Sequence, residues 1–362
     1  LGAHILAALA ESRNVRKIFA FMRPGGNAEQ TASDRLDSSL RSKGFDIPLK
    51  KVIPLYSDVA QENFGLDAAL FNSMKSQVTH VIHCAWTVNF AINLAAFESQ
   101  ILGLYNLLTF SMQTDRSAHV LFCSSIGTAQ ATKCPARIAS APIPSFDNCS
   151  AMGYSQSKLV GERITEVAAK AGANATVLRI GQIIPGRRRD VKLWNPSEAV
   201  PLMIRSASSA SIGALPLMDA ARDSCDWIEA DTLADSILQI AGIGQEIARQ
   251  SLVYNLVNPH SFSWRHDFLP ALKRVGLQFD ILTWQEWIER LEASSDDARA
   301  NPSKKLLDFW QKQTPREGEL VFETDAAEAD SSAFRAACRL TDGDLLGQVV
   351  TAWEEHAKST QM

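Results

Sequence analysis

Tyr154 and Lys158 stand four residues apart in the stretch Gly153-Tyr154-Ser155-Gln156-Ser157-Lys158, and Cys123-Ser124-Ser125 precedes them in the chain. On a helix, positions four apart share one face. The apolar run Ala118-His119-Val120-Leu121-Phe122-Cys123 reads as a buried strand closed by Ser124 and Ser125. A hydroxyl at a strand's carboxyl end, facing a Tyr/Lys helix, is a proton-transfer site. The serine holds a carbonyl oxygen, the tyrosine gives or takes its proton, and the lysine cation stabilises the tyrosinate. Free tyrosine titrates near pH 10, and a Lys⁺ about 4 Å away is worth roughly 4 kcal/mol at an effective dielectric near 20, enough to bring the phenol towards working pH. Taken alone, the spacing also fits a solvated helix face. The strand-end serines and the cofactor signals described next turn the reading towards function.

The elements that must position these groups alternate. Residues 1–11 predict an apolar helix, and 16–23 a strand stopped by Pro24-Gly25-Gly26. A helix over 32–42 carries Leu36 and Leu40, and a short strand over 51–56, interrupted by Pro54, ends at Ser57-Asp58. A strand over 78–85, a helix over 97–109, the strand closed by the serines, a helix over 154–171 and a strand over 175–180 follow. Alternating apolar strands and helices describe an α/β, Rossmann-type doubly wound parallel sheet. Ligands of such sheets bind outside the carboxyl ends of the strands, where Arg23, Asp58, Ala85, Ser125 and Gly181 fall.

Arg23 ends the strand that, in a dinucleotide fold, usually ends in an acid when the ribose 2′-hydroxyl is free; a basic residue there suits the 2′-phosphate of NADP. Its planar fork matches a phosphate, and Arg35 offers a second contact. A snorkelling surface residue is the plain alternative for both arginines. Asp58 suits the adenine amino group, or equally a turn.

Composition removes several classes. The 362 residues suffice for one large α/β domain or two smaller ones, and 46% hydrophobic with 21% charged residues is ordinary for a globular chain. A net charge of -4 argues against a general nucleic-acid binder. No apolar run is long enough to span a membrane, and the amino terminus lacks the features of a signal or transit peptide. The six cysteines contain no C-x-x-C pair and read as reduced thiols of a cytoplasmic protein. The histidines lack metal-ligand spacing, so no metal is expected; His83 reads as packing beside a strand end.

After Gly181 the pattern changes. Pro185-Gly186-Arg187-Arg188-Arg189 reads as a solvated basic loop, with an acidic partner as the alternative. Seven of the eight tryptophans lie from Trp194 onward. The stretches 194–196, 212–216 and 284–291 predict a mostly helical subdomain whose aromatics form a core or a lid over an apolar substrate. A further strand is expected over 252–256 and a polar surface loop over 293–300. The expected division is a nucleotide-binding domain over 1–185 and a smaller, mostly helical substrate subdomain over 186–362, with some strands returning to the main sheet.

The combination Phe21-Met22-Arg23, Ser57-Asp58, His83-Cys84-Ala85-Trp86-Thr87-Val88-Asn89, Phe122-Cys123-Ser124-Ser125, Tyr154-Ser155-Gln156-Ser157-Lys158 and Leu178-Arg179-Ile180-Gly181-Gln182-Ile183 resembles the extended short-chain dehydrogenase/reductases. Within them it is similar to the thioester reductase domains that end many nonribosomal peptide synthetases, fungal carboxylic acid reductases and some polyketide synthases. Leu193-Trp194-Asn195-Pro196, Trp227-Ile228-Glu229-Ala230-Asp231 and the stretch Asn301 to Phe309 look like the fungal branch. The resemblance implies Ser125 in the catalytic Ser/Thr position, with Ser124 as the alternative, Tyr154 as the acid and Lys158 as the ribose-binding partner. It implies NADPH contacts from Gly2, Arg23, Arg35, Asp58, Val59, Ala85, Lys158 and Gly181. The implied reaction is NADPH-dependent release of an acyl thioester, borne by a phosphopantetheinyl carrier domain, as an aldehyde or onward as an alcohol. The implied setting is a monomeric domain of a larger enzyme.

The family's glycine-rich turn and the strand before it are missing, except that Gly2 fits the turn's last glycine. Unpaired strand edges, weak NADPH binding and poor stability are therefore expected of this chain alone. Three other readings stay open: a reductase or epimerase acting on a free small molecule, a redox-silent domain that releases its acyl chain by cyclisation, and a nucleotide-sensing module without chemistry.

Overall fold

The computed structural model describes residues 1–361 except 26–29, 189–191, 193, 209–210, 246, 248–250, 298–300 and 314–315, with the backbone alone over 356–361. The amino-terminal half alternates as its hydrophobic pattern requires: α1 (Gly2–Glu11), β1 (Ile18–Met22), α2 (Ala32–Arg41), β2 (Val52–Tyr56), α3 (Ala68–Gln77), β3 (His80–His83), α4 (Glu98–Met112) and β4 (His119–Ser125). The short β5 (Ala136–Ile138) comes next, then α5 (Gly153–Lys170) and β6 (Ala175–Ile180). Local chemistry sets the helix starts: the Thr31 side chain caps α2 by accepting from Asp34 N, and Asp67 caps α3 by accepting from Leu70 N. The helix α3 is absent from the sequence reading, because its mixed apolar and polar residues give little periodicity.

Strand β4 is the centre. It pairs in parallel with β3 and with β6, and Val120, Leu121 and Phe122 are fully buried. Burial of such side chains contributes roughly 1.5–3 kcal/mol each. Beyond β6 lies β11 (Val253–Leu256), also parallel, so the main sheet runs β11-β6-β4-β3. Strands β1 and β2 form a separate parallel pair. Among the described residues no ladder joins β1 to β3, and all five residues of β1 are only half-buried. Pro54 is tolerated in β2 because that strand pairs on one side only.

Past β6 the chain runs through β7 (Ile183–Ile184), α6 (Ala199–Arg205), β8 (Ala214–Pro216), α7 (Ala220–Asp223), β9 (Ser224–Cys225) and β10 (Ile228–Glu229) to α8 (Ala230–Ile240). Leu233, Ala234, Ile237 and Ile240 of α8 share one apolar cluster with Ile5 of α1 and with Leu178, Tyr254 and Leu256 of the sheet. After β11 come β12 (Phe262–Ser263), α9 (Leu269–Arg274), β13 (Asp280–Leu282), α10 (Trp284–Glu292), α11 (Leu307–Gln311), β14 (Leu320–Phe322), α12 (Asp325–Asp330), α13 (Ser332–Arg335) and α14 (Leu345–Gln361). A second core joins Trp194, Trp227, Trp264, Trp287 and Trp310. These five tryptophans are therefore core residues.

Two expectations for this region are corrected. Residues 212–216 are not helical: β8 pairs in parallel with β13, because Ala214 and Leu215 are buried and bounded by Gly213 and Pro216. The loop after Pro185 is not a free basic surface. Arg187 pairs with Glu229, and Arg188 Nη1 lies 2.6 Å from Asp235 Oδ2. Arg188 N also donates to Asp231 Oδ2 at 2.8 Å. Arg189, and Leu193 of the fungal-type stretch, lie outside the described residues.

Candidate functional site

The carboxyl ends of the parallel strands form one edge, and α5 brings its amino-terminal turns to it. Two glycines permit the approach. A Cβ on Gly153 would stand 2.4 Å from the carbonyl oxygen of Ile92, and one on Gly127 would stand 2.5 Å from Ser155 Oγ. A side chain at Gly153 would push the start of α5 off the backbone at 92–94, and one at Gly127 would collide with Ser155 on its first turn.

Tyr154, Lys158 and Glu162 follow one another at helical spacing on the face of α5 that packs on β4. Lys158 is 3% exposed and donates from Nζ to the carbonyl of Cys123 at 2.6 Å. Burial lowers its pKa to about 7. The half-buried Tyr154 phenol lies beside the Ser125 hydroxyl. Burial raises its pKa, and the Ser125 hydroxyl opposes that rise. Ser125 Oγ also accepts from Gly127 N at 3.2 Å.

The neighbouring serine has a different environment. Successive residues of a strand point to opposite faces, and Ser124 donates to Glu162 Oε1 at 2.6 Å. Glu162 also accepts from Arg179 Nη2 at 2.6 Å and from its Nε at 3.0 Å. Arg179 donates onward to the carbonyl of Ala141 at 2.8 Å. Arg179 is 0% and Glu162 5% exposed, so this is a buried, fully bonded ion pair directly behind the site.

The remaining sequence-predicted positions spread along the same edge. Arg23 is exposed just past β1, and its carbonyl accepts from Arg35 Nη1 at 2.5 Å. Arg35 lies against Gly25 and faces the Tyr56 ring at 5.9 Å. The Asp58 carboxylate accepts from Ala60 N and Gln61 Nε2, both at 3.1 Å, which is a turn-forming role. Val59 packs on Gly103 of α4 and its carbonyl accepts from Asn106 at 2.9 Å. Ala85 is exposed just past β3, and a Cβ on Gly2 would meet only Cys84 Sγ, at 3.5 Å. Gly181 sits under Val257, where a Cβ would come within 2.9 Å of Cγ1. His83 is held neutral: burial, with the Lys158 and Arg23 charges, pulls its pKa down to about 3. Those two charges bracket His83 along the strand ends.

Sequence reasoning missed three neighbours of the tyrosine and lysine. Trp86 faces the Lys158 ammonium, with its ring centroid 4.3 Å from Nζ. Phe90 meets Tyr154 edge-on at 5.5 Å and stacks on Phe309 at 5.5 Å. Phe97 also approaches Tyr154 edge-on, at 6.4 Å. The stretch Trp86-Thr87-Val88-Asn89-Phe90 carries an aromatic at each end of a short loop. That was the available signal. An open groove of about 1630 Å³ lies elsewhere, between His4, Phe45, Trp194, Glu198 and Thr351, and none of Ser125, Tyr154 or Lys158 lines it. Among the described residues no three acidic, histidine or cysteine side chains converge to hold a metal. No described helix is long and apolar enough to cross a membrane.

The comparisons agree with this architecture. A protein family described as "Male sterility protein" matches residues 1–237. The chain is 29% identical over 382 residues to a non-canonical non-ribosomal peptide synthetase of Acremonium egyptiacum, covering 99% of this chain and 33% of that protein. It is 32% identical over 322 residues to a carboxylic acid reductase of Neurospora crassa, covering 86% of this chain and 30% of that protein. The chain thus spans about a third of the length of these curated relatives. Among solved structures it is similar to the terminal R domain of the myxalamid biosynthetic pathway, with a TM-score of 0.79, 19% identity, and coverage of 98% of this chain and 88% of that one. A UDP-glucuronic acid 4-epimerase of Bacillus cereus shares the fold more distantly, with a TM-score of 0.59, 13% identity, and coverage of 97% of this chain and 95% of that one.

Proposed function

Because the chain belongs to the NAD-binding family described as male sterility protein and has the extended short-chain dehydrogenase/reductase fold of R domains, we propose that it reduces an acyl thioester on a carrier domain to an aldehyde at the expense of NADPH. The observation that carries the reading is the Tyr154 phenol beside the Ser125 hydroxyl at the carboxyl edge of the sheet, with the Lys158 cation one helical turn away. The relatives named as a carboxylic acid reductase and a peptide synthetase support the same chemistry.

The residues fit a phosphorylated dinucleotide. Arg23 and Arg35 stand together past β1, where a 2′-phosphate would need them, and the exposed Ala85 and Gly2 leave room beside the strand ends. Arg23, Arg35, Ala85, Gly181 and Lys158 would hold NADPH, with Gly2, Asp58 and Val59 beside them; when bound it supplies the hydride. Ser125 and Tyr154 hold the thioester oxygen. As negative charge develops there, the phenol donates its proton and Lys158 stabilises the phenolate left behind. Burial keeps the Tyr154 phenol protonated at neutral pH, as an acid requires. Ser124 takes no part, since Glu162 occupies its hydroxyl. The chain then works as a domain of a longer cytoplasmic enzyme, receiving its acyl group from a phosphopantetheinyl carrier, with residues 1–185 holding the nucleotide and 186–362 facing the acyl group.

The test is NADPH oxidation and aldehyde release with an acyl group loaded on a phosphopantetheinyl carrier, compared with the same group as free acid and with a nucleotide sugar. Carrier-dependent turnover is the expected result. Turnover on the free small molecule alone would transfer the chain to the second reading, and no oxidation with any of them would remove the enzymatic one.

A further inference from the structure

Lys158 carries its ammonium into the sheet, and among the described residues no carboxylate forms an ion pair with it. The nearest acid on its own helix, Glu162, is committed to Arg179 and Ser124. Among the described residues Lys158 forms one hydrogen bond, to the carbonyl of Cys123. Around it stand rings: Trp86 with its centroid 4.3 Å from Nζ, Phe122 at 5.0 Å and Tyr154 at 5.9 Å. Phe122 is fully buried, and Trp86 packs on it at 5.4 Å, so the two rings form a fixed corner. Trp86 is tied to the same helix by its other end. Its Nε1 donates to Ser157 Oγ at 3.1 Å, and Ser157 Oγ donates to the Tyr154 carbonyl at 2.7 Å.

We propose that Trp86 is a positioning residue for Lys158: its indole face holds the ammonium that no carboxylate neutralises, and its ring N–H fixes the helix turn that carries Tyr154. The inference rests on the reading that Lys158 serves the reduction. A desolvated cation gains more from an indole face than an exposed one does, so the face offsets part of what water would otherwise provide. The other groups that face the ammonium do not supply it. His83, from β3, is neutral at working pH. Cys84 and Cys123 are buried thiols whose pKa values are raised, so they carry no charge there. Arg179, from β6, is a cation spent on Glu162, and Tyr154 is a protonated phenol.

The test is urea unfolding of the full chain at pH 6 and pH 9, for wild type, Trp86→Phe and Trp86→Met, each with and without Lys158→Met. Methionine fills space without a π face; phenylalanine keeps a smaller face and loses the ring N–H. With a folded pKa of about 7, Lys158 is charged at pH 6 and mostly neutral at pH 9. Trp86→Met should therefore lower the folding equilibrium about five- to tenfold more at pH 6 than at pH 9, and Trp86→Phe only about two- to threefold more. Both differences should vanish in the Lys158→Met background. A loss that is equal at the two pH values, equal for Phe and Met, or retained without Lys158 would overturn the proposal. In turnover, Trp86→Met should lower kcat about tenfold at pH 6 with KM little changed. Should the chain reduce no thioester at all, that arm fails by itself while the unfolding arm still decides the role of Trp86.

Discussion

The Ser124 hydroxyl donates a 2.6 Å hydrogen bond to Oε1 of Glu162. That bond gives different surroundings to two adjacent serines, of which the family resemblance puts Ser125 in the catalytic position and keeps Ser124 as the alternative. Ser124 belongs to the buried Glu162–Arg179 pair, whereas Ser125 is half-buried at the open edge beside the Tyr154 phenol. Ser125→Ala is expected to lower kcat by about 10²–10³, the scale of one lost oxyanion donor. Ser124→Ala is expected to cost about 1–3 kcal/mol of stability through the acceptor it leaves, with kcat within a few-fold. Steady-state rates and urea unfolding of both variants check this; the reverse pattern would exchange their roles.

Tyr154→Phe removes the proton donor and leaves the ring contacts with Phe90 and Phe97 in place. Reduction should fall by about 10²–10⁴ without loss of fold. Retention of more than about a tenth of the wild-type rate, roughly ten times what the low end of that range leaves, would withdraw the assignment.

The pH dependence follows from Lys158. Its pKa in the free enzyme is lowered to about 7, and the cation is the form that stabilises phenolate. The kcat/KM profile, which reports free-enzyme groups, should therefore fall as pH rises through about 7. For stability the sign is opposite. A lysine whose folded pKa lies below its unfolded value favours folding increasingly as pH rises from about 7 towards the unfolded value, so Lys158→Met should flatten that rise.

Arg23 sets the expected preference for NADPH. One charge-assisted contact to the 2′-phosphate is worth about 1.5–3 kcal/mol, or roughly ten- to a hundredfold in affinity. Arg23→Ala should remove most of the NADPH over NADH ratio and hardly alter NADH use. An unchanged ratio, measured by titration with both cofactors, would shift the role to Arg35.

The Glu162–Arg179 pair gives a prediction independent of turnover. Arg179→Met alone leaves a buried carboxylate uncompensated and should cost about 3–5 kcal/mol. Adding Glu162→Leu should recover much of that loss, because two apolar side chains need no partner. Unfolding of the single and double variants reads the coupling directly.

Element type and order were legible in the sequence wherever a local period carries the information. The strand over 175–180 and, to within a residue at their ends, the helices read over 1–11 and 154–171 follow from apolar spacing alone, as does a parallel α/β sheet. So does the placement of Tyr154 and Lys158 on one helix face, since that depends only on the 3.6-residue repeat. Tertiary structure decided what depends on residues far apart in the chain. It gave Ser124 and Ser125 different surroundings, because the Glu162 that engages Ser124 lies 38 residues later. It turned Arg187 and Arg188 from solvated charges into partners of Glu229, Asp231 and Asp235, and it paired 214–216 with 280–282 as strands within a region that reads as helical. It also set Trp86 against Lys158, through a contact that joins α5 to the loop after β3. Periodicity records which side of an element is apolar. It does not record which distant side chain that side will meet, and in a close-packed interior that partner sets whether a serine, an arginine or a lysine is free to act.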